Sequence, residues 1–135
     1  MGRPLLILLD THVVIWLASG ETRLSTKAQA TIDEARQNQQ ALSISDFTMF
    51  ELVMIFRKKR FGLNISLESF LFEVEQRFVV LPITRDVCVQ TLAFPRTYPR
   101  DPADLIIGAT AIVNGLSLVT ADRAIRESGA VPTIW

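Results

Sequence analysis

Apolar residues fall along this chain in short unbroken runs, separated by amphipathic stretches. Residues 5–9, Leu-Leu-Ile-Leu-Leu, show no alternation, which predicts a strand covered on both faces. Asp10-Thr11 ends that run, and residues 12–18 read as a short helix. Ser25 is positioned as the N-cap of a more polar helix reaching about Gln39. A second short strand is predicted over 41–45 and a helix over 46–60. Ser66 caps a further helix over 67–78, followed by a third strand at 79–83 and a helix at 85–94. The loop 95–100 holds two prolines, Asp101 opens a helix to Asn114, and 116–120 forms a fourth strand. A short helix follows Asp122, and 133–135 reads as a last edge strand.

Strands alternating with helices predict an α/β fold: a parallel β-sheet of four to five strands flanked by helices on both faces. In such sheets ligands sit beyond the carboxyl ends of the strands. With 135 residues and 49% apolar content, the chain reads as one domain over residues 1–135, with neither disorder nor low-complexity tails. Residues 105–121 carry no charge, but Asn114-Gly115 breaks the run, so it reads as helix, turn and buried strand rather than a membrane span. Cys88 is the single cysteine and permits no intramolecular disulfide, which points to a reducing, cytoplasmic setting. Lys and Arg total 14 against 14 Asp and Glu, so any attraction for nucleic acid must be local.

The candidate chemistry lies in carboxylates at the strand ends. Asp10 closes the first strand and Asp122 follows the fourth, while Asp101 and Asp104 open the helix between. Glu51 sits inside a helix among Phe47, Met49, Phe50, Leu52, Val53 and Met54, with no Lys or Arg within one turn to pair with it. Its partner must come from across space, because burying a lone carboxylate costs several kcal/mol. Two carboxylates about 5 Å apart repel by roughly 3 kcal/mol at an effective dielectric near 20. Four that converge therefore require raised pKa values or a divalent cation, and an all-oxygen set selects Mg²⁺ or Mn²⁺. Such a site suits hydrolysis of phosphodiesters. Each acid also has a plainer reading. Asp10 and Asp122 are equally suited to helix N-caps, and Asp101-Pro102-Ala103-Asp104 suits an N-cap, a first-position proline and a capping-box acid.

Leu8-Leu9-Asp10-Thr11 with Trp16-Leu17 resembles the opening motif of the PIN-domain family, and of its VapC-type toxins in particular. Ser45, Thr48, Glu51 and Leu52 are similar to the second motif. Asp101-Pro102-Ala103-Asp104 with Ile107 and Ala109-Thr110-Ala111 resembles the third, and Thr120-Ala121-Asp122 the fourth. Leu105 stands where many relatives carry arginine. The resemblance implies a single PIN domain and a Mg²⁺- or Mn²⁺-dependent endoribonuclease acting on an RNA substrate. It implies Asp10, Glu51, Asp104 and Asp122 as catalytic, metal-binding acids, with Asp101, Thr11 and Thr120 in support. It further implies a small VapB-like antitoxin as partner. A PIN nuclease of RNA maturation and a catalytically silent RNA- or protein-binding module remain the alternatives.

Several features stand outside the acids. Arg96 and Arg100, in the loop before the third motif, are the better candidates for RNA-phosphate contact, although a solvated loop also accounts for them. The run Arg57-Lys58-Lys59-Arg60 reads first as cations complementing a helix C-terminus. His12 reads as structural or peripheral, Trp16 as packing, and Cys88 as a small core residue. The helices holding Phe47 to Phe56 and Phe70 to Phe78 carry more apolar surface than one sheet face covers. Either they cover each other or a second chain does, and the resemblance favours a homodimer.

Overall fold

The computed structural model describes residues 6–21, 23–59 and 64–135. Five parallel strands, β1 (Ile7–Leu9), β2 (Leu42–Ser45), β3 (Val79–Leu81), β4 (Ser117–Val119) and β5 (Thr133–Ile134), form one sheet in the order β3-β2-β1-β4-β5. The helices are α1 (Thr11–Ser19), α2 (Thr26–Gln37), α3 (Asp46–Lys59), α4 (Leu67–Arg77), α5 (Arg85–Gln90), α6 (Pro102–Val113) and α7 (Arg123–Ser128). The α/β architecture expected from the apolar runs is therefore present.

β1 shows why its run does not alternate. Ile7 and Leu9 enter a core with α1, α2 and α4, while Leu8 enters a second core with α5, α6 and α7. Both faces of the strand are dry, so every position must be apolar. β2 carries two serines in the same surroundings, and Ser43 is accommodated because its hydroxyl donates to the Ile7 carbonyl at 2.6 Å. Leu5 and Arg60, which the sequence assigned to the first strand and the third helix, lie outside the described residues.

Two expectations are corrected. Cys88 is exposed rather than a core residue, because α5 is a short helix whose buried contact is Val87. The helix expected over 85–94 also breaks at Gln90 and ends as a 3-10 turn, Thr91–Ala93. α3 and α4 leave Phe50 56% and Phe72 61% exposed, so they do not fully cover each other. Among the described residues, no helix is long and apolar enough to cross a membrane.

The chain order reverses direction at β1 and β4: β2 and β3 extend the sheet to one side of β1, β4 and β5 to the other. The register pairs Leu9 with Val119. The residues immediately after those strands, Asp10 and Thr120, consequently emerge side by side at the point where such sheets place ligands.

Candidate active site: a carboxylate cleft

A cleft of about 430 Å³ opens at this end of the sheet, and its walls include Asp10, Glu51, Asp101, Asp104 and Asp122. The acids foreseen from strand ends and motifs are thus brought together from four separate stretches of chain. Val13, His12, Trp16 and Ala121 complete part of the wall.

Capping and convergence occur in the same side chains. Asp10 caps α1, its Oδ1 accepting from the Thr11 amide at 2.8 Å, while its Oδ2 accepts from the Thr120 hydroxyl at 2.6 Å. Asp122 caps α7 through Oδ1, which accepts from the Ile125 amide at 3.0 Å. Asp101 caps α6 through Oδ1, accepting from the Ala103 amide at 2.9 Å. Each cap fixes a carboxylate at the mouth of the cleft, so the plain reading and the functional one do not compete. The reciprocal half of the Asp101–Asp104 capping box is absent: among the described residues the Asp104 carboxylate accepts no hydrogen bond.

Glu51 finds its partner across space, as its apolar setting requires. Thr11, fully buried at the start of α1, donates its hydroxyl to Glu51 Oε1 at 2.6 Å. The same hydroxyl lies 3.0 Å from that of Thr48, one turn before Glu51 on α3. Thr11 on α1 therefore aims the carboxylate, with the Thr48 hydroxyl as its second neighbour. Thr11→Val keeps the shape but strips Glu51 of its donor, and should cost about 1–3 kcal/mol of stability in a denaturant melt. An unchanged midpoint would show that the hydrogen bond contributes nothing net.

The electrostatics follow from this crowding. Burial pushes the Asp104 carboxyl up to about 7, reinforced by the charges of Asp10, Asp122, Asp101 and Glu51. Asp10 is also raised, mainly by burial, although the Thr120 and Thr11 hydrogen bonds oppose it. Glu51 is raised by burial and by Asp10, against the Thr11 hydrogen bond. Among the described residues the ion pairs are Arg23–Glu21, Arg77–Glu73 and Arg123–Glu127, so no Lys or Arg pairs with a cleft acid. The donor set is all oxygen and lacks a counter-cation, which fits a hard divalent ion. Among the described residues, no three such side chains are already closed into a coordination set. The acids line a common space and hold apart within it.

Asp104 titrates near 7 in the fold but near 3.9 in an unfolded chain, so the native state binds more protons between those values. Its contribution to stability, measured without metal, should fall as pH rises from about 4 to about 7 and level off above. Denaturant melts in EDTA should show wild type losing ground to Asp104→Asn across that window. A parallel pH dependence in the two proteins would contradict it.

One determinant was not anticipated. Tyr98, 1% exposed, stacks on Phe94 with centroids 4.0 Å apart and donates its hydroxyl to the Asp104 carbonyl at 2.5 Å. It ties the loop before α6 to the turn that carries Asp104. The available signal was Gly108 in the interior of α6, a residue that weakens a helix unless something must approach closely. Arg96 and Arg100 are exposed in that loop and do not line the cleft; Arg100 reaches the Pro95 carbonyl at 3.4 Å. Leu105 is partly buried against the second core.

Residues 7–130 match the PIN domain family. Over 121 residues the chain is 36% identical to Ribonuclease VapC22 of Mycobacterium tuberculosis, covering 90% of each sequence. Among solved structures it resembles VapBC2 from Rickettsia felis bound to a promoter DNA fragment, with a TM-score of 0.70 at 15% identity, over 96% of this chain and 97% of that one. DNA-bound VapBC from Salmonella typhimurium gives a TM-score of 0.70 at 22% identity, over 96% of each chain. At those identities the two structures speak for the fold.

Proposed function

The chain belongs to the PIN domain family, and on that premise we propose that it is a divalent-metal-dependent endoribonuclease, the toxin of a toxin–antitoxin pair. The observation that carries this reading is the convergence of Asp10, Glu51, Asp104 and Asp122 on one cleft with no cationic side chain paired to them among the described residues. The relative named as a ribonuclease supports RNA as the substrate class. The structural neighbours named as toxin–antitoxin complexes support a small VapB-like partner.

Asp10, Glu51, Asp104 and Asp122 would hold one or two Mg²⁺ or Mn²⁺ ions, with Asp101 beside them. The chemistry that such an ion would supply there is a lowered pKa for water and neutralisation of charge on the scissile phosphate and the leaving oxygen. The chain's own residues supply position. Thr120 accepts from the Asp122 amide at 3.0 Å while donating to Asp10, so one hydroxyl fixes the relative placement of two acids from different strands. Thr11, whose hydroxyl also meets that of Thr48, holds Glu51 from α1. Tyr98 holds the first turn of α6 and with it Asp104. Such preset alignment spares the reacting groups the cost of reorganising during the reaction.

The exposed Phe50 and Phe72 support a second copy of the chain as a further partner. One domain over residues 1–135 remains the proposed organisation.

The test is cleavage of an end-labelled RNA by wild type in Mg²⁺ or Mn²⁺, and in EDTA. Cleavage that EDTA abolishes supports the reading; no cleavage with bound metal would refute nuclease activity on that RNA. Expression of wild type and Asp104→Ala alone in a bacterium tests the toxin role. Growth arrest by wild type only is expected, and harmless wild type at good yield would point to RNA maturation instead.

A further inference from the structure

We propose that single-stranded RNA leaves the acidic cleft across His12 and Trp16 and seats a neighbouring phosphate on Lys58, in a groove that continues the cleft along α1 and α3. The proposal rests on the nuclease reading above. The groove measures about 280 Å³, and its walls include His12, Trp16, Ile55, Glu21, Arg23 and Lys58. His12 and Trp16 border the acidic cleft as well, so the two spaces adjoin through a pair of rings.

The two rings meet at a tilt of 47°, and Trp16 is backed. His12 and Trp16 have centroids 6.1 Å apart, and Trp16 is braced from another side by Trp135 at 6.0 Å. Trp16 is half-buried and packed on the core, so it meets a ligand as a fixed surface. Sequence-tolerant binding of single strands combines such aromatic platforms with cations that follow the phosphates. The acids in the cleft repel phosphate, and the chain has no net positive charge to offset them. Local cations must do so. Arg23 is committed to Glu21 at 2.8 Å, whereas Lys58 is exposed and has no ion pair among the described residues. The basic run at the end of α3 thus places at least one of its members over a groove joined to the site. The helix dipole accounts for cations at that end, but not for the groove beside them. An acidic peptide would also be drawn to Lys58; the paired rings beside a phosphodiester site favour a nucleobase.

The experiment uses the Asp104→Asn, Trp135→Phe chain in EDTA, where cleavage is blocked and Trp16 is the remaining tryptophan of the 2 in the sequence. Titration with a short oligouridylate should quench Trp16 emission saturably. Adding Lys58→Ala should weaken the apparent Kd several-fold and lower the slope of log K against log salt by about 0.7, one single-strand phosphate contact. Lys27→Ala, on the exposed face of α2, should change neither. Circular dichroism checks that each variant is folded; Lys58 is exposed, so its removal leaves the core intact. Absent quenching, or an unchanged Kd and salt slope in Lys58→Ala, overturns the proposal. So does poly-glutamate quenching Trp16 with the same dependence on Lys58, which would make the groove a peptide seat. Wild type that cleaves RNA while Lys58→Ala binds normally sinks the groove alone. Lys58-dependent quenching in a chain whose wild type never cleaves supports the groove and sinks the nuclease reading.

Discussion

Gly108→Ala should destabilise the protein by roughly 3 kcal/mol, a fall in Tm on the order of 10 °C, although alanine is the better helix former. The reason is space. A Cβ at position 108 would stand 2.1 Å from the Tyr98 hydroxyl oxygen, 2.9 Å from its ring carbon Cζ and 3.1 Å from Cζ of Phe94. Tyr98 is fully buried and stacked on Phe94, so neither ring can swing away cheaply. Relief would have to come from the loop or from α6, and movement of α6 displaces Asp104. Metal binding should therefore weaken along with stability. Tyr98→Phe in the same chain removes the nearest atom and should recover part of the loss, though not all, because the two ring-carbon contacts remain. Thermal melts of the two single variants and the double variant measure the coupling. Stability equal to or above wild type in Gly108→Ala would mean that Tyr98 does not occupy that space.

Asp104→Asn should lose RNA cleavage by more than the 10–100-fold that removal of an outer-shell partner of a metal ligand costs, and should blunt stabilisation by Mn²⁺. Without metal, at pH 8, it should melt a few degrees above wild type. Both effects come from the same cause. Asp104 is held among four other acids, and its charged form is disfavoured by burial and by each of them. An amide removes that repulsion and, under the proposed function, one metal ligand together. A residue serving only as a capping-box acid would behave oppositely: its loss would slightly destabilise the chain and leave the metal response intact. The sign of the metal-free shift therefore separates the two roles without an activity assay.

The acids were legible because two different regularities pointed at them. Asp10 follows an unbroken apolar strand and Asp122 a largely apolar one, and a parallel sheet puts such positions at one edge. Glu51 stood out by its setting, an ionisable group among large apolar neighbours with no helical partner. The choice between capping and metal binding was not legible, and the structure shows why. A carboxylate has two oxygens: Asp122 spends Oδ1 on its helix, and Asp101 does the same. Sequence spacing cannot say where the second oxygen points. Thr11 was named in support by the family resemblance, but its pairing with Glu51 was out of reach for a similar reason, since the two meet only once α1 packs on α3.

Tyr98 and Cys88 mark the opposite kind of failure. Tyr98 lies in a proline-bearing loop, where a tyrosine reads as surface, yet it is among the largest fully buried side chains. Its burial depends on the gap left by Gly108, ten residues on in sequence and touching only in three dimensions. Cys88 sits beside a buried valine in a helix too short for a periodic pattern to declare which side faces the core. The C-terminal boundary of α5 was missed for the same reason, the helix tightening into a 3-10 turn that leaves Leu92 87% exposed.

Under the proposed function, these carboxylates share a space that a divalent cation stabilises. Calorimetric titration of Mn²⁺ into EDTA-stripped wild type at pH 8, paired with a thermal melt, addresses it without reference to any substrate. Saturable binding is predicted, with a Tm that climbs with Mn²⁺ concentration and a response lost in Asp10→Asn. No heat of binding and an unmoved Tm at millimolar Mn²⁺ would contradict it.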